Sequence, residues 1–444
     1  METVAQDATS SGYARLLRPE TKVTEENLLA DDFLRQLINV GEVDILVGLP
    51  TFNNSATIGA VVQAVQSGIL RWFPRERAVI VNVDGGSRDG TPERVTGASI
   101  DDVRPAAALN ALRTLHTVTT KYSGHPTSGM ALHGILAAAE LLRAKACAVL
   151  SPTSENIQAE WLWRLLRPVY KDGFDLVTPT YNRHKFDGLL ITNLLYPMTR
   201  ALYGLRIREP YCTEFAFSGN LACQFLSSNS WDDRAHDSGS ELKLTLAAIR
   251  SHSRICQAFL GDRPHVDHRS SELVPVLRQT VGPLFSAMDQ DFSRWSTIAG
   301  SQSIEGSTPE STHLLAPVRV NRKRLREMFA SGVADLSSVF HSILTDSTLA
   351  ELQRIAGQSE AAFNFPAELW VKTLYEFAAS YQRSVINRDH IIQALAPLFR
   401  GRAFTYLTEN RTASAEEVEN NIDSLCLEFE RLKPYLLLMW KSGQ

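Results

Sequence analysis

The 444-residue chain carries 45 lysines and arginines against 49 aspartates and glutamates, a formal net charge of −4 at pH 7. Charged residues make up 21% and hydrophobic ones 44%, a globular composition that excludes a mostly disordered chain. The near balance of sign leaves no overall electrostatic footprint for nucleic acid, and the length points to one large α/β domain with a smaller second unit.

The opening METVAQDATSSGYARLL lacks the basic start and apolar centre of a secretory signal. Cys147, Cys212, Cys223, Cys256 and Cys426 are odd in number and form no CxxC pair, which fits a reducing, cytoplasmic setting. Thr24 precedes two glutamates and then Leu28, Leu29, Phe33, Leu34, Leu37 and Ile38, a capped helical pattern, so residues 1–40 are expected as an N-terminal helical extension. Within 41–300, apolar runs alternate with helical patterns: DILVGLP (44–50), a helix over 57–67, AVIVNVD (78–84), a helix from Met130 to Arg143, and ACAVLS (146–151). Such alternation implies βαβ units and a mostly parallel sheet. The apolar stretch Leu189 to Leu205 is broken by Thr192, Asn193, Pro197 and Arg200 and does not suit a transmembrane segment. Ser301 to Ser311 is polar and aperiodic, so a linker or loop is expected over 301–317 and a C-terminal helical unit over 318–444. In that unit Val418, Ile422, Leu425, Phe429 and Leu432 share one helical face. A packed helix is the expected reading; a homodimeric coiled-coil seam is the alternative.

Two loops carry chemistry. VNVDGGSRDGT (81–91) places Asp84 at a strand end followed by Gly85, Gly86 and Gly90, where a backbone can approach a ligand and Asp84 can accept from a base or ribose. The alternative is a polar turn in which Asp84, Ser87 and Asp89 cap the next helix. LPTFNNSATIG (49–59) opens at the same end of the sheet, and two such loops make a crevice. Neither a P-loop nor a GxGxxG is present, which disfavours an ATPase or a dehydrogenase and favours another nucleotide-bearing ligand.

PTFNN, VDGGSRDGT, YNRHKFDGLLITNLLYPMTRALYG (181–204), EPYCTEFAFSG (209–219) and LGDRPH (260–265) follow one another in an order that resembles the mannosylglycerate synthase and glucosyl-3-phosphoglycerate synthase group of GT-A glycosyltransferases, over roughly residues 41 to 295. The resemblance implies a GT-A nucleotide-diphospho-sugar transferase fold. It assigns the nucleotide sugar to Pro50, Thr51, Asn53, Asp84, Gly85, Gly129, Ser151 and Thr153, and the acceptor to Arg183, Asp187 and Thr192. Arg183, Asp187 and Glu241 are the catalytic candidates. Arg183 has the planar fork that pairs with a carboxylate or phosphate, and Asp187 can orient a hydroxyl; the structural alternative is a charged loop with Asp187 capping the next helix. Glu241 is alternatively a first-turn glutamate favoured by the helix dipole.

The chain departs from that group at three places. Ser151, Pro152 and Thr153 stand at its DxD, Thr127, Ser128 and Gly129 at its GKG, and Glu209, Tyr211, Cys212 and Thr213 in a stretch that reads QPIGG. A divalent cation, magnesium or manganese, is therefore expected to bind weakly, held by His265 with Glu155 turned toward the vacated carboxylates. His268 competes for the histidine role, and Glu155 has the alternative of opening the next helix. The expected function is a retaining glycosyltransferase that moves a sugar from a nucleotide diphosphate sugar to a small polar acceptor of glycerate-like kind. The alternative is a catalytically degenerate protein of the same fold with a binding or regulatory role. A sugar nucleotidyltransferase is disfavoured by the lack of a GxGTR-type loop.

Overall fold

The computed structural model describes residues 29–100, 112–118, 129–154, 156–228, 239–263, 273–306 and 320–441. The sheet is built from β1 (Ile45–Thr51), β2 (Ala78–Asp84), β3 (Arg113–Val118), β4 (Ala146–Val149), β5 (Leu176–Asn182), β6 (Phe215–Ser218), β7 (Ile255–Asp262) and β8 (Glu305–Gly306). Their order is β3-β2-β1-β4-β6-β5-β7-β8. Only β6 among these runs antiparallel to its neighbours.

Helices cover both faces, so β1 and β2 are buried along their whole length and read as continuous apolar runs. Alternate residues feed opposite layers: Leu46, Val79, Val81 and Cys147 join one core, and Ile45, Val47, Ile80 and Ala146 the other. Gly48 is required by close approach, because a Cβ there would lie 2.5 Å from Ile135 of helix Gly129–Leu141. Helix Asp31–Val40 buries Phe33 and Leu37 against the first core, whereas Ile38, expected on the same face, stands 77% exposed.

Residues 305–306 pair with β7, so the start of the expected linker is an edge strand. From Arg322 to Lys441 the chain is helical. Helix Ala415–Arg431 starts at a capping box between Ser414 and Glu417, and Val418, Ile422, Leu425, Phe429 and Leu432 are all buried within their own chain. The packed-helix reading therefore holds, and the coiled-coil seam does not.

The helical unit grips the segment after β5 through specific bonds. Lys185 Nζ donates to the carbonyls of Arg411 (3.1 Å) and Ala413 (2.9 Å). Ile191–Leu195 forms a π-turn whose Asn193 carbonyl accepts from Trp370 Nε1 at 2.8 Å. Further along, buried Arg200 pairs with Asp423 at 2.5 Å and Glu430 at 2.8 Å.

Candidate functional site

The topology gathers the site at one sheet edge. β1, β2, β4, β5 and β7 end there, and the reversed β6 begins there. Chain order moves from β1 outward to β2 and β3 and then returns to β4 on the other side of β1. That switch point is where open α/β sheets form a ligand crevice. β1 separates the strands that lead to Asp84 and Ser151, so the two sites flank Thr51.

On the β1/β2 side polar side chains hold the two loops together. Asp84 is fully buried. Its Oδ2 accepts from Thr51 Oγ1 (2.8 Å) and Ser87 Oγ (2.7 Å), and its Oδ1 from the amides of Gly86 (2.9 Å) and Ser87 (2.7 Å). These four bonds fill the acceptor capacity of a carboxylate. Asp84 thereby ties the two loops together. Behind it, Asn82 donates to Thr51 Oγ1 (2.8 Å) and its carbonyl meets His116 Nδ1 at 2.6 Å. Burial lowers the His116 pKa, against the pull of Asp84 and Glu93.

The two loops are stitched further. Asn53 adopts φ 54°; its amide donates to Ser87 Oγ (2.7 Å) and its side-chain oxygen accepts from the Arg88 amide (3.1 Å). The Gly85 amide donates to the Thr51 carbonyl at 2.8 Å, and Pro50 lies buried in β1 opposite Val83. Asp89 is held at a pKa of about 2: desolvation opposes its charge, but hydrogen bonds from Thr91 and Ser55 outweigh that. Thr57 Oγ1 reaches the Pro152 carbonyl at 2.5 Å and ties this half to the turn after β4.

Among the described residues of that turn there is no carboxylate, and Ser151 and Thr153 bond to each other through their hydroxyls at 2.8 Å. Neutral hydroxyls that satisfy one another are poor ligands for a hard cation. No group of three or more His, Cys, Asp or Glu among the described residues could hold a metal ion. The described residues therefore do not fit a divalent cation. Glu155, His265 and His268 lie outside the described residues, as do Thr127 and Ser128. Gly129 opens helix Gly129–Leu141 and is buried.

The β5/β6/β7 side is charged and closed on itself. Arg183 forms a bidentate pair with Glu209 (2.8 and 3.0 Å) and donates its third nitrogen to Asp187 at 2.9 Å. Glu214, 1% exposed, accepts from Ser154 Oγ (2.7 Å), Tyr181 OH (2.6 Å), Thr213 Oγ1 (2.8 Å) and Arg263 (3.0 Å). Burial raises its pKa, yet Arg263 and the three hydroxyls more than reverse this and hold it below the ordinary carboxyl value. Both guanidiniums lie over the Tyr181 ring, at 5.1 Å for Arg183 and 4.7 Å for Arg263. Thr192, expected at the acceptor, is buried instead and bonds back to the Gly188 and Leu189 carbonyls (3.3 Å each) while facing Tyr406 of the helical unit.

Glu241 lies in the first turn of helix Ser240–Arg250, as the helix-dipole alternative has it, and is 5% exposed. Desolvation pushes its pKa up to about 8 against one backbone hydrogen bond. Its Oε2 has no hydrogen-bond partner among the described residues. The buried Cys212 thiol marks where the charges converge: burial first, then Glu209, Glu214 and Glu241, push its pKa well up, against Arg263.

No family model and no curated protein sequence matches the chain. The chain is similar to glucosyl- and mannosyl-3-phosphoglycerate synthases of known structure. Glucosyl-3-phosphoglycerate synthase from Mycobacterium tuberculosis, solved with Mn2+, uridine diphosphate and glucosyl-3-phosphoglycerate, is 23% identical at a TM-score of 0.42, covering 55% of this chain and 79% of that one. Mannosyl-3-phosphoglycerate synthase from Rubrobacter xylanophilus is 18% identical at a TM-score of 0.42, covering 59% of this chain and 79% of that one. The fold is of the expected α/β class, a mostly parallel sheet followed by C-terminal helices. No helix among the described residues is long and apolar enough to cross a membrane.

Sequence reasoning missed Glu214, Ser154 and Thr213. Glu214 stands just before β6, and only the reversal of that strand brings it to the edge where β5 and β7 end. An acidic residue directly preceding a short apolar strand was the available signal.

Proposed function

We propose that the crevice binds a nucleotide diphosphate sugar and that the chain is a glycosyltransferase passing that sugar to a hydroxyl of a small polar acceptor, with the retention of configuration that the sequence resemblance implies. The observation that carries this reading is Glu241. A buried carboxyl with an oxygen unpartnered among the described residues is costly unless another group completes it, and a pKa of about 8 lets it exchange a proton near neutrality. Arg183 and Asp187 stand on the proposed acceptor side, and the loops at Thr51 and Asn53 on the nucleotide side. No step is assigned to a metal.

A second reading, a degenerate fold with a binding role, is favoured by the Ser151–Thr153 pair and by the full commitment of Asp84. Calorimetry with UDP-glucose and GDP-mannose, with manganese and with chelator, followed by turnover with a panel of hydroxyl acceptors, separates the two. Binding and transfer by the natural protein support the transferase. Transfer that arises only in the Ser151→Asp, Thr153→Asp double variant identifies the natural protein as degenerate, and absence of nucleotide binding overturns both.

A further inference from the structure

The ion pairs around Arg183 restrict what the acceptor can be. A free guanidinium at a pocket wall is a fork for a carboxylate or phosphate. Here that fork is already filled. Glu209 takes two of its nitrogens in bidentate geometry and Asp187 the third. Glu209 is only 3% exposed, so an incoming anion that displaced it would leave a carboxylate buried without a partner.

The surroundings reinforce the exclusion. Two guanidiniums, Arg183 and Arg263, face three carboxylates, Asp187, Glu209 and Glu214, an excess of negative charge. Lys185, the other strong cation of the same loop, spends its ammonium on the Arg411 and Ala413 carbonyls. Such a wall suits hydroxyl groups, which can donate to carboxylate oxygens without bringing a charge of their own.

We infer that Glu209 is a specificity-determining residue that closes this pocket to carboxylate and phosphate acceptors and reserves it for an uncharged polyhydroxyl compound. The inference rests on the acceptor-side placement of Arg183 in the proposed function and narrows its substrate class.

The test is calorimetric titration of 3-phosphoglycerate into the full chain and into E209Q and E209A, with thermal unfolding to check that each variant is folded. E209Q preserves the shape and one accepting oxygen; E209A vacates the site. The natural protein should give no saturable binding at millimolar ligand, and at least one variant should gain at least tenfold in affinity, with the gain abolished by a further R183M change. Saturable binding of 3-phosphoglycerate by the natural protein overturns the inference, and so does a lack of gain in both folded variants. Parallel titration with UDP-glucose and GDP-mannose keeps the two ideas separate: loss of nucleotide binding defeats the proposed transferase, whereas the acceptor exclusion is decided by the Glu209 variants alone.

Discussion

The two halves of the crevice are held together by different chemistry. At the ends of β1 and β2 one buried carboxylate, Asp84, collects hydroxyls and amides from two loops, and each bond is short and local to the sheet edge. At the ends of β5 and β7 the contacts are ion pairs between segments far apart in sequence, with Arg263 reaching Glu214 and Arg183 reaching Glu209. The first half is a rigid platform that can present backbone groups without changing shape. The second half depends on mutual neutralisation, so any partner removed there leaves a charge stranded.

That contrast can be broken by substitution. Glu214→Ala should have the largest effect, a loss of about 3–5 kcal/mol in unfolding free energy, because it strands Arg263 and orphans Tyr181, Thr213 and Ser154. Urea unfolding measures it, and a loss under about 1 kcal/mol would mean the cluster is not interdependent. Asp84→Ala should cost less, about 1.5–3 kcal/mol, as befits hydrogen bonds to one charged group. It should also increase amide exchange in both 51–57 and 84–91, and a change confined to one loop would refute the tie.

The smallest effect, taken per pH unit, comes from Glu241. Its folded pKa of about 8 lies above the ordinary carboxyl value, so the folded state binds the proton more tightly than the unfolded chain. The resulting stability is full below the ordinary carboxyl pKa and is lost as pH rises toward about 8, by up to about 1.4 kcal/mol per unit. Glu241→Gln should flatten this slope and exceed the natural protein in stability above pH 8. Parallel unfolding curves for the two proteins between pH 5 and about pH 9 would dismiss the shift.

The platform half was largely legible in the sequence because strand ends, glycines and short polar loops are local signals. AVIVNVD ends where β2 ends, and DILVGLP one residue before the end of β1. The charged half was not, because it is created by the one antiparallel strand. Nothing local to EPYCTEFAFSG says that Glu209 will meet Arg183, 26 positions earlier, or that Glu214 will meet Arg263, 49 positions later. The surroundings of Thr192 were hidden for a similar reason: the π-turn and the helical unit turn it inward toward Tyr406.

The grip of the C-terminal helices on the segment after β5 sets an order of events during synthesis. Arg200, 1% exposed in the finished fold, waits for Asp423 and Glu430, which follow it by 223 and 230 residues. Until those residues leave the ribosome, the guanidinium has to stay hydrated, and the helix that bears it lacks its partner helix Ala415–Arg431. At translation speeds of roughly 5–20 residues per second, that is on the order of ten seconds or more during which the acceptor side is unfinished while the β1/β2 platform can already be complete. The nascent protein passes through a stage with half a crevice, and chaperones would meet it there.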